Sequence, residues 1–203
     1  MLKIAVTGSA GSGKSLVCKR LRQIGLVTLD CDIIARQVVK PGMPGFIKIV
    51  ELFGQKAVNK DGTLDRAGLR DIIMNDPGMR QKMEDILHPR ILGEMVFQME
   101  HAEYANKKKA VAVEVPLLFE TGMDEQFDVT IVVAGMDTEL LKRISGRDNV
   151  SMANARKMLD LQMSQEEKIK RADHVIANKG TRSELFDSVD NLFDKIQKDF
   201  LTT

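Results

Sequence analysis

Short, almost wholly apolar runs alternate along this chain with longer stretches in which apolar residues return every three or four positions. The short runs are Ile4-Ala5-Val6, Leu26-Val27-Thr28-Leu29, Ala110 to Val115, Asp128 to Val133 and Asp173 to Ile176. Runs of that length, bounded by turn formers, predict buried strands. Helical spacing follows the first run in Val17, Leu21 and Ile24, ended by Gly25. It returns in Ile33, Ile34, Val38 and Val39 before Pro41-Gly42, and in Phe46, Ile49, Val50 and Phe53 before Gly54. Leu69, Ile72 and Ile73 mark another helix. Met79, Met83, Ile86 and Leu87 lead into Pro89, which is expected to kink or break the run because proline removes a backbone donor and clashes with the preceding turn. Ile91, Met95 and Met99 resume it, and Leu185, Val189, Leu192, Phe193, Ile196 and Phe200 close the chain on an amphipathic helix.

Two segments stand apart from this alternation. Residues 44–106 carry helical periodicity and no strand, too long for a simple crossover. Residues 137–172 are helical and charged, with an interruption at Asp148-Asn149, a capping serine at Ser151 and a capping box in Ser164-Gln165-Glu166-Glu167. Five strands alternating with helices give a three-layer α/β fold, and the right-handed crossover rule makes its sheet parallel. The core is then 1–43, 107–136 and 173–203, forming one domain with the two helical excursions.

Composition narrows the function more by exclusion than by suggestion. Thirty Lys and Arg against 29 Asp and Glu give a net charge of +1, which argues for neither nucleic acid nor membrane as partner. Lys107-Lys108-Lys109 is the only basic run and reads as a solvated turn. No apolar run reaches the ~18 residues of a membrane span, and Met1 leads almost at once into the first strand, so no leader is expected. Cys18 and Cys31 have neither C-x-x-C spacing nor a nearby histidine, which points to a reducing, cytoplasmic setting. A monomer or weak homo-oligomer is expected.

The chemistry concentrates in Gly8-Ser9-Ala10-Gly11-Ser12-Gly13-Lys14-Ser15, which reads G-x-x-x-x-G-K-[ST] between the first strand and the first helix. In that context the pattern is a phosphate-binding loop. Glycines let the backbone approach phosphate oxygens, and the N–H groups of Gly11, Ser12, Gly13 and the first helical turn, through Ser15 and Leu16, converge on an anion. Lys14 adds a point charge at the β- and γ-phosphates, and the Ser15 hydroxyl suits Mg²⁺ carried in by ATP.

A phosphate loop alone does not name a reaction. A GTPase switch needs D-x-x-G after a strand and N-K-x-D. Asp65-Arg66-Ala67-Gly68 falls in a helical pattern, and Asn178-Lys179-Gly180-Thr181 lacks the acidic residue. The dinucleotide pattern fails at Leu16. A kinase needs an acceptor-orienting carboxylate and mobile arginines, because phosphoryl transfer is mainly positioning and charge neutralisation. Asp30 and Asp32 sit at the end of the second strand, beside the first strand's phosphate loop in the usual sheet order. One can hydrogen-bond the attacking hydroxyl, and the other can organise Mg²⁺ waters. Arg143, Arg147 and Arg156 lie on 137–172, the place for a lid over ATP, with Arg147 the leading candidate at the interruption. Another small-metabolite kinase of this architecture and a non-catalytic nucleotide-binding module are the competing readings.

The chain resembles the dephospho-coenzyme A kinases over essentially its full length. The resemblance rests on T-G-S-A-G-S-G-K-S (7–15), L-D-C-D-I-I-A-R (29–36), P-G (41–42), D-G-T-L-D-R (61–66), L-H-P (87–89), V-P-L-L-F-E (115–120), R-D (147–148), R-A-D (171–173) and the N-x-G turn (178–180). It implies the P-loop kinase fold and ATP-dependent phosphorylation of the ribose 3′-hydroxyl of dephospho-coenzyme A. It further implies Asp32 as the base-like carboxylate, 44–106 as the coenzyme A subdomain with His88 on its substrate face, 137–172 as the lid, and Asn178 at the nucleotide. Three positions depart from the family's pattern: Leu16 for its usual threonine, Ser9-Ala10 for Gly-Ile, and Ala177-Asn178-Lys179-Gly180 for D-N-N-G.

Overall fold

Strand β1 (Leu2–Thr7) runs through the middle of a five-stranded sheet, with β2 (Val27–Asp30), β3 (Ala110–Glu114), β4 (Val129–Ala134) and β5 (His174–Ala177) parallel to it in the order β2-β3-β1-β4-β5. This computed structural model describes residues 1–105 and 110–200, so Lys107-Lys108-Lys109 lies outside the described residues. Every residue of β3 and β4 is buried, which is why both read as continuous apolar runs: a parallel sheet covered on both faces has no polar side to show.

In this order β3 stands between β2 and β1, with Glu114 in register with Val6 on one side and Asp30 on the other.

The chain forms two compact units, one of Met1–Asp30 with Met99–Thr203 and one of Cys31–Gln98. In the first, α1 (Lys14–Gln23) and α9 (Arg182–Phe200) cover one face of the sheet, packing Val17, Leu21, Val189 and Phe193 against Ile4 and Ile131. Gly25, at φ 97°, ends α1 in a Schellman turn, its N–H on the Arg22 carbonyl and that of Leu26 on the Leu21 carbonyl. The 137–172 segment is three helices, α6 (Asp137–Asp148), α7 (Met152–Asp160) and α8 (Gln165–Arg171). Asn149 in the left-handed region ends α6, and the Ser151 and Ser164 hydroxyls accept from Asn154 N and Glu167 N, so the expected caps form.

Helix α8 is fastened to the sheet. The Gln165 amide accepts from Gly135 N at 2.9 Å and donates to Gly135 O at 3.0 Å. Lys168, with no exposed side-chain surface, pairs with Glu120 at 2.8 Å and donates to the Pro116 carbonyl at 3.1 Å.

The second unit is helical, as the pattern requires. It holds α2 (Cys31–Gln37), α3 (Pro44–Phe53), α4 (Arg66–Asn75) and most of α5 (Pro77–Ala105), with an isolated antiparallel bridge between Val58 and Leu64. Ile34, Ile49, Phe53, Leu69 and Met95 are buried, and Cys31 Sγ lies 3.5 Å from Met95 Sδ. Pro89 does not break its helix: α5 runs through it for 29 residues. In the same turn the Arg90 guanidinium donates to the Ile86 carbonyl.

Candidate active site

At the carboxyl edge of β1 the chain turns through Gly8, at φ 143°, into the loop that feeds α1. A Cβ on Gly8 would meet the Val133 carbonyl oxygen at 2.3 Å, and one on Gly13, at φ 101°, would meet Asn178 Nδ2 at 2.4 Å. Glycine is required at both by conformation and by space. Lys14 is buried at 7% exposure, its ammonium donating to Gly8 O at 2.8 Å and Ser9 O at 3.1 Å. A flexible side chain is thereby anchored across the loop.

Neighbouring elements brace the loop. Asn178, buried after β5, donates through Nδ2 to the Ser12 carbonyl at 2.7 Å. Arg143 on α6 donates to the Gly11 carbonyl at 3.2 Å, and Gln162, between α7 and α8, accepts from Ala10 N at 3.1 Å. Ser9, Arg156 and Gln162 line a cavity of about 250 Å³ beside the loop. The Ser12 hydroxyl is fully buried and, among the described residues, has no hydrogen-bond partner. A buried donor left unmade in a glycine-lined turn marks a place for an anionic oxygen.

Ser15 carries the candidate metal-ligating hydroxyl. Its exposed hydroxyl donates to Glu114 Oε1 at 2.9 Å. A hydroxyl and a carboxylate, both hard oxygen donors at the first turn of α1, are the ligand types a magnesium ion takes beside nucleotide phosphates. Glu114 also sets the field behind the loop. Burial first, then the charges of Glu114 and Asp30, hold the Cys18 thiol above its ordinary range, so Cys18 is neutral packing and not a nucleophile.

The other sequence candidates fall as follows. Leu16 packs its side chain against the sheet core, and its N–H bonds the Gly13 carbonyl at 3.0 Å. Asp30 is the last residue of β2, partly buried. Asp32 is exposed in the first turn of α2, within the Cys31–Gln98 unit. His88 is partly buried inside α5. Arg147 is exposed and paired with the adjacent Asp148 through two 2.7 Å hydrogen bonds. Arg156 pairs with Asp160 at 3.0 Å and Asp137 at 3.5 Å.

Sequence reading passed over Glu114 and Gln162. Glu114 carried a usable signal, a carboxylate closing an otherwise apolar strand just before Pro116. Gln162 carried none, since its role depends on where the α7–α8 turn lies against the loop.

Comparison with known proteins places this geometry. The family profile for dephospho-CoA kinase matches residues 2–184. A dephospho-CoA kinase of Bacillus cereus is 39% identical over 178 residues, 88% of each chain. One from Moorella thermoacetica is 36% identical over 198 residues, covering 98% of this chain and 93% of its own. Among solved structures, a dephospho-CoA kinase from Campylobacter jejuni superposes with a TM-score of 0.73 at 30% identity, over 97% of this chain and 98% of its own.

Proposed function

The chain belongs to the dephospho-CoA kinase family, and from that premise we propose that Lys14, Asp32 and Arg147 carry its reaction, transfer of the γ-phosphoryl group of ATP to the ribose 3′-hydroxyl of dephospho-coenzyme A. The observation that carries this is the loop itself: a buried ammonium at a glycine turn whose Gly11 and Ser12 carbonyls are held by Arg143 and Asn178, with the buried Ser12 hydroxyl left unmade among the described residues. Fixed donors stabilise developing charge more than mobile ones because they need no reorganisation at the moment of reaction.

Each residue then has a task. Gly11, Ser12, Gly13, Ser15 and the backbone of Leu16 cradle the phosphates, and Lys14 neutralises charge between the β- and γ-groups. Ser15 and Glu114 would hold Mg²⁺, which supplies further neutralisation of the phosphate oxygens when it is bound with ATP. Asp32 accepts a hydrogen bond from the acceptor hydroxyl and takes its proton late in the transfer. Asn178 holds the loop at Ser12 while lying at the nucleotide.

Residues 44–106, His88 among them, receive the acceptor, and the 137–172 helices close over ATP. Because Gln165 and Lys168 fasten α8 to the sheet, we place the moving part at 137–164. Arg143 and Arg147 are four residues apart on α6 and therefore share one face. Arg143 is on the loop at Gly11, so release of Arg147 from Asp148 presents it on the same side.

An ADP-release assay with a panel of hydroxyl acceptors tests the reaction. Turnover is expected with dephospho-coenzyme A and lost in Lys14→Ala, while the variant keeps its melting temperature within a few degrees. Turnover confined to nucleoside monophosphates would point to the competing small-metabolite kinase, and near-wild-type turnover of a folded Lys14→Ala would remove the loop from the mechanism.

A further inference from the structure

Lys168 is the most deeply buried charged side chain among the described residues, and nothing in the chemistry above uses it. Helix α8 is held without it. Gln165 grips both backbone groups of Gly135, and Arg171 lies over the Phe119 ring at 4.7 Å and pairs with Asp124 at 3.1 Å. Taking an ammonium out of water carries a desolvation cost that its attraction to a carboxylate does little more than offset. An apolar side chain of the same length would therefore fasten α8 about as well. What the ion pair does that an apolar contact does not is fix an oxygen in place.

That oxygen is Glu120 Oε1. It pairs with Lys168 Nζ at 2.8 Å and accepts from Met163 N at 3.0 Å. The ammonium also donates to the Pro116 carbonyl at 3.1 Å, so it is held from both ends of the 116–120 turn. Met163 follows Gln162, and Gln162 Oε1 accepts from Ala10 N at 3.1 Å. Lys168 thus reaches the phosphate loop within one compact unit, from ammonium to carboxylate, to the backbone of the α7–α8 turn, to a loop N–H. This brace differs in kind from the other two. Asn178 and Arg143 donate to loop carbonyls, whereas Gln162 takes an N–H. Ala10 lies between Gly8 at φ 143° and Gly11 at φ 76°, where the backbone is least constrained by its own residues, so an outside acceptor orients its peptide.

We infer that Lys168 is a positioning residue for phosphoryl transfer. With Glu120 it locks the turn before α8, and through Gln162 it holds the Ala10 peptide in the orientation from which the loop receives ATP. This rests on the reading of the loop as the nucleotide site. The locked turn is also where the helices proposed to close over ATP meet the fastened α8, so one carboxylate sets both the loop's shape and the pivot of the lid.

The test is a double-mutant cycle in the full-length protein. Gln162→Leu keeps bulk and removes the acceptor; Lys168→Met keeps length and removes the charge. Steady-state kinetics at saturating dephospho-coenzyme A are read beside melting temperatures. Each single variant is expected to raise KM for ATP about three- to tenfold, the worth of one net hydrogen bond, with a smaller change in kcat. The double variant should raise KM no further than the larger single, because both remove the same support. A Lys168→Met that melts lower but keeps the wild-type KM for ATP overturns the inference, since its role is then folding alone. Effects on KM that multiply in the double variant overturn it too, because the two residues then act separately. So does a KM for ATP that falls in Gln162→Leu, since the glutamine would then compete with phosphate for the Ala10 N–H. Should Lys168→Met not fold, Glu120→Gln takes its place with the same expectations, because it keeps an oxygen for Met163 N and removes the charge that locks it. Near-wild-type turnover of Lys14→Ala removes the loop from the reaction and this inference with it. An unchanged KM for ATP in Gln162→Leu beside an inactive Lys14→Ala overturns this inference alone.

Discussion

Asn178 Nδ2 and the Ser12 carbonyl meet at 2.7 Å across 166 positions of sequence, tying the turn after β5 to the middle of the phosphate loop. The same amide fills the space that a Cβ on Gly13 would need. Asparagine is suited to this because its amide donates without charge, whereas aspartate would set a negative oxygen against a carbonyl and near the incoming phosphates.

Asn178→Ala should therefore act through the loop. A buried carbonyl left unmade costs about 1–3 kcal/mol, and the expected result is a lower melting temperature together with a KM for ATP raised about tenfold. Saturating ATP should restore most of kcat. A variant with unchanged KM for ATP would show that the loop keeps its shape without this brace.

Glu114 invites a different measurement. If it and Ser15 hold Mg²⁺, Glu114→Gln keeps the shape and a hydrogen bond to Ser15 but loses the charge. The magnesium concentration for half-maximal rate should rise about tenfold or more, with kcat reduced on the order of 10²-fold even at saturating metal. A magnesium titration superimposable on wild type would make Glu114 only a partner for the Ser15 hydroxyl.

Much of this was legible in the residues because the signals were local. Gly8 to Ser15 identifies itself by spacing, Ser151 and Ser164 cap where hydroxyl chemistry says they should, and all five strands emerged from their apolar runs. What escaped depended on position in space. The order of strands decides that Glu114 flanks Val6, yet no run of residues states which strand pairs with which. Pro89 broke a local rule without ending α5, because tertiary packing of a long helix outweighs one lost backbone hydrogen bond. Lys168, in a segment legible only as helical and charged, is buried against Glu120. That α8 is fastened to the sheet followed only from that contact and from Gln165.

Two arginines on one face of α6 should separate kinetically. Arg143 already bonds the Gly11 carbonyl, so Arg143→Ala is expected to raise KM for ATP several-fold with a smaller change in kcat. On the role proposed for it at the transition state, Arg147→Ala should lower kcat on the order of 10²-fold while leaving nucleotide affinity of the resting enzyme unchanged. Steady-state kinetics beside nucleotide titration distinguish the two. An unaltered kcat in Arg147→Ala would leave it as Asp148's surface partner and move the role to Arg143 or Arg156.

Asp32 offers the sharpest test of the chemistry. It follows the carboxyl end of β2 by two residues and stands exposed in the first turn of α2. In a loose transition state the hydroxyl loses its proton late, so the carboxylate need not be strongly basic and acts chiefly by holding the nucleophile in line. Asp32→Asn keeps the size and one accepting oxygen but removes the charge and the proton acceptor. The expected result is a fall in kcat of roughly 10²- to 10⁴-fold, the range for a positioned acid or base. KM for ATP should change little, since the loop and Lys14 hold the nucleotide. Asp30→Asn is the control: Asp30 closes β2 in register with Glu114, so its loss should alter the strand edge and stability more than the chemical step. A kinase that keeps most of its kcat in Asp32→Asn but not in Asp30→Asn would reverse the two assignments, because only the carboxylate that meets the hydroxyl is needed for each turnover.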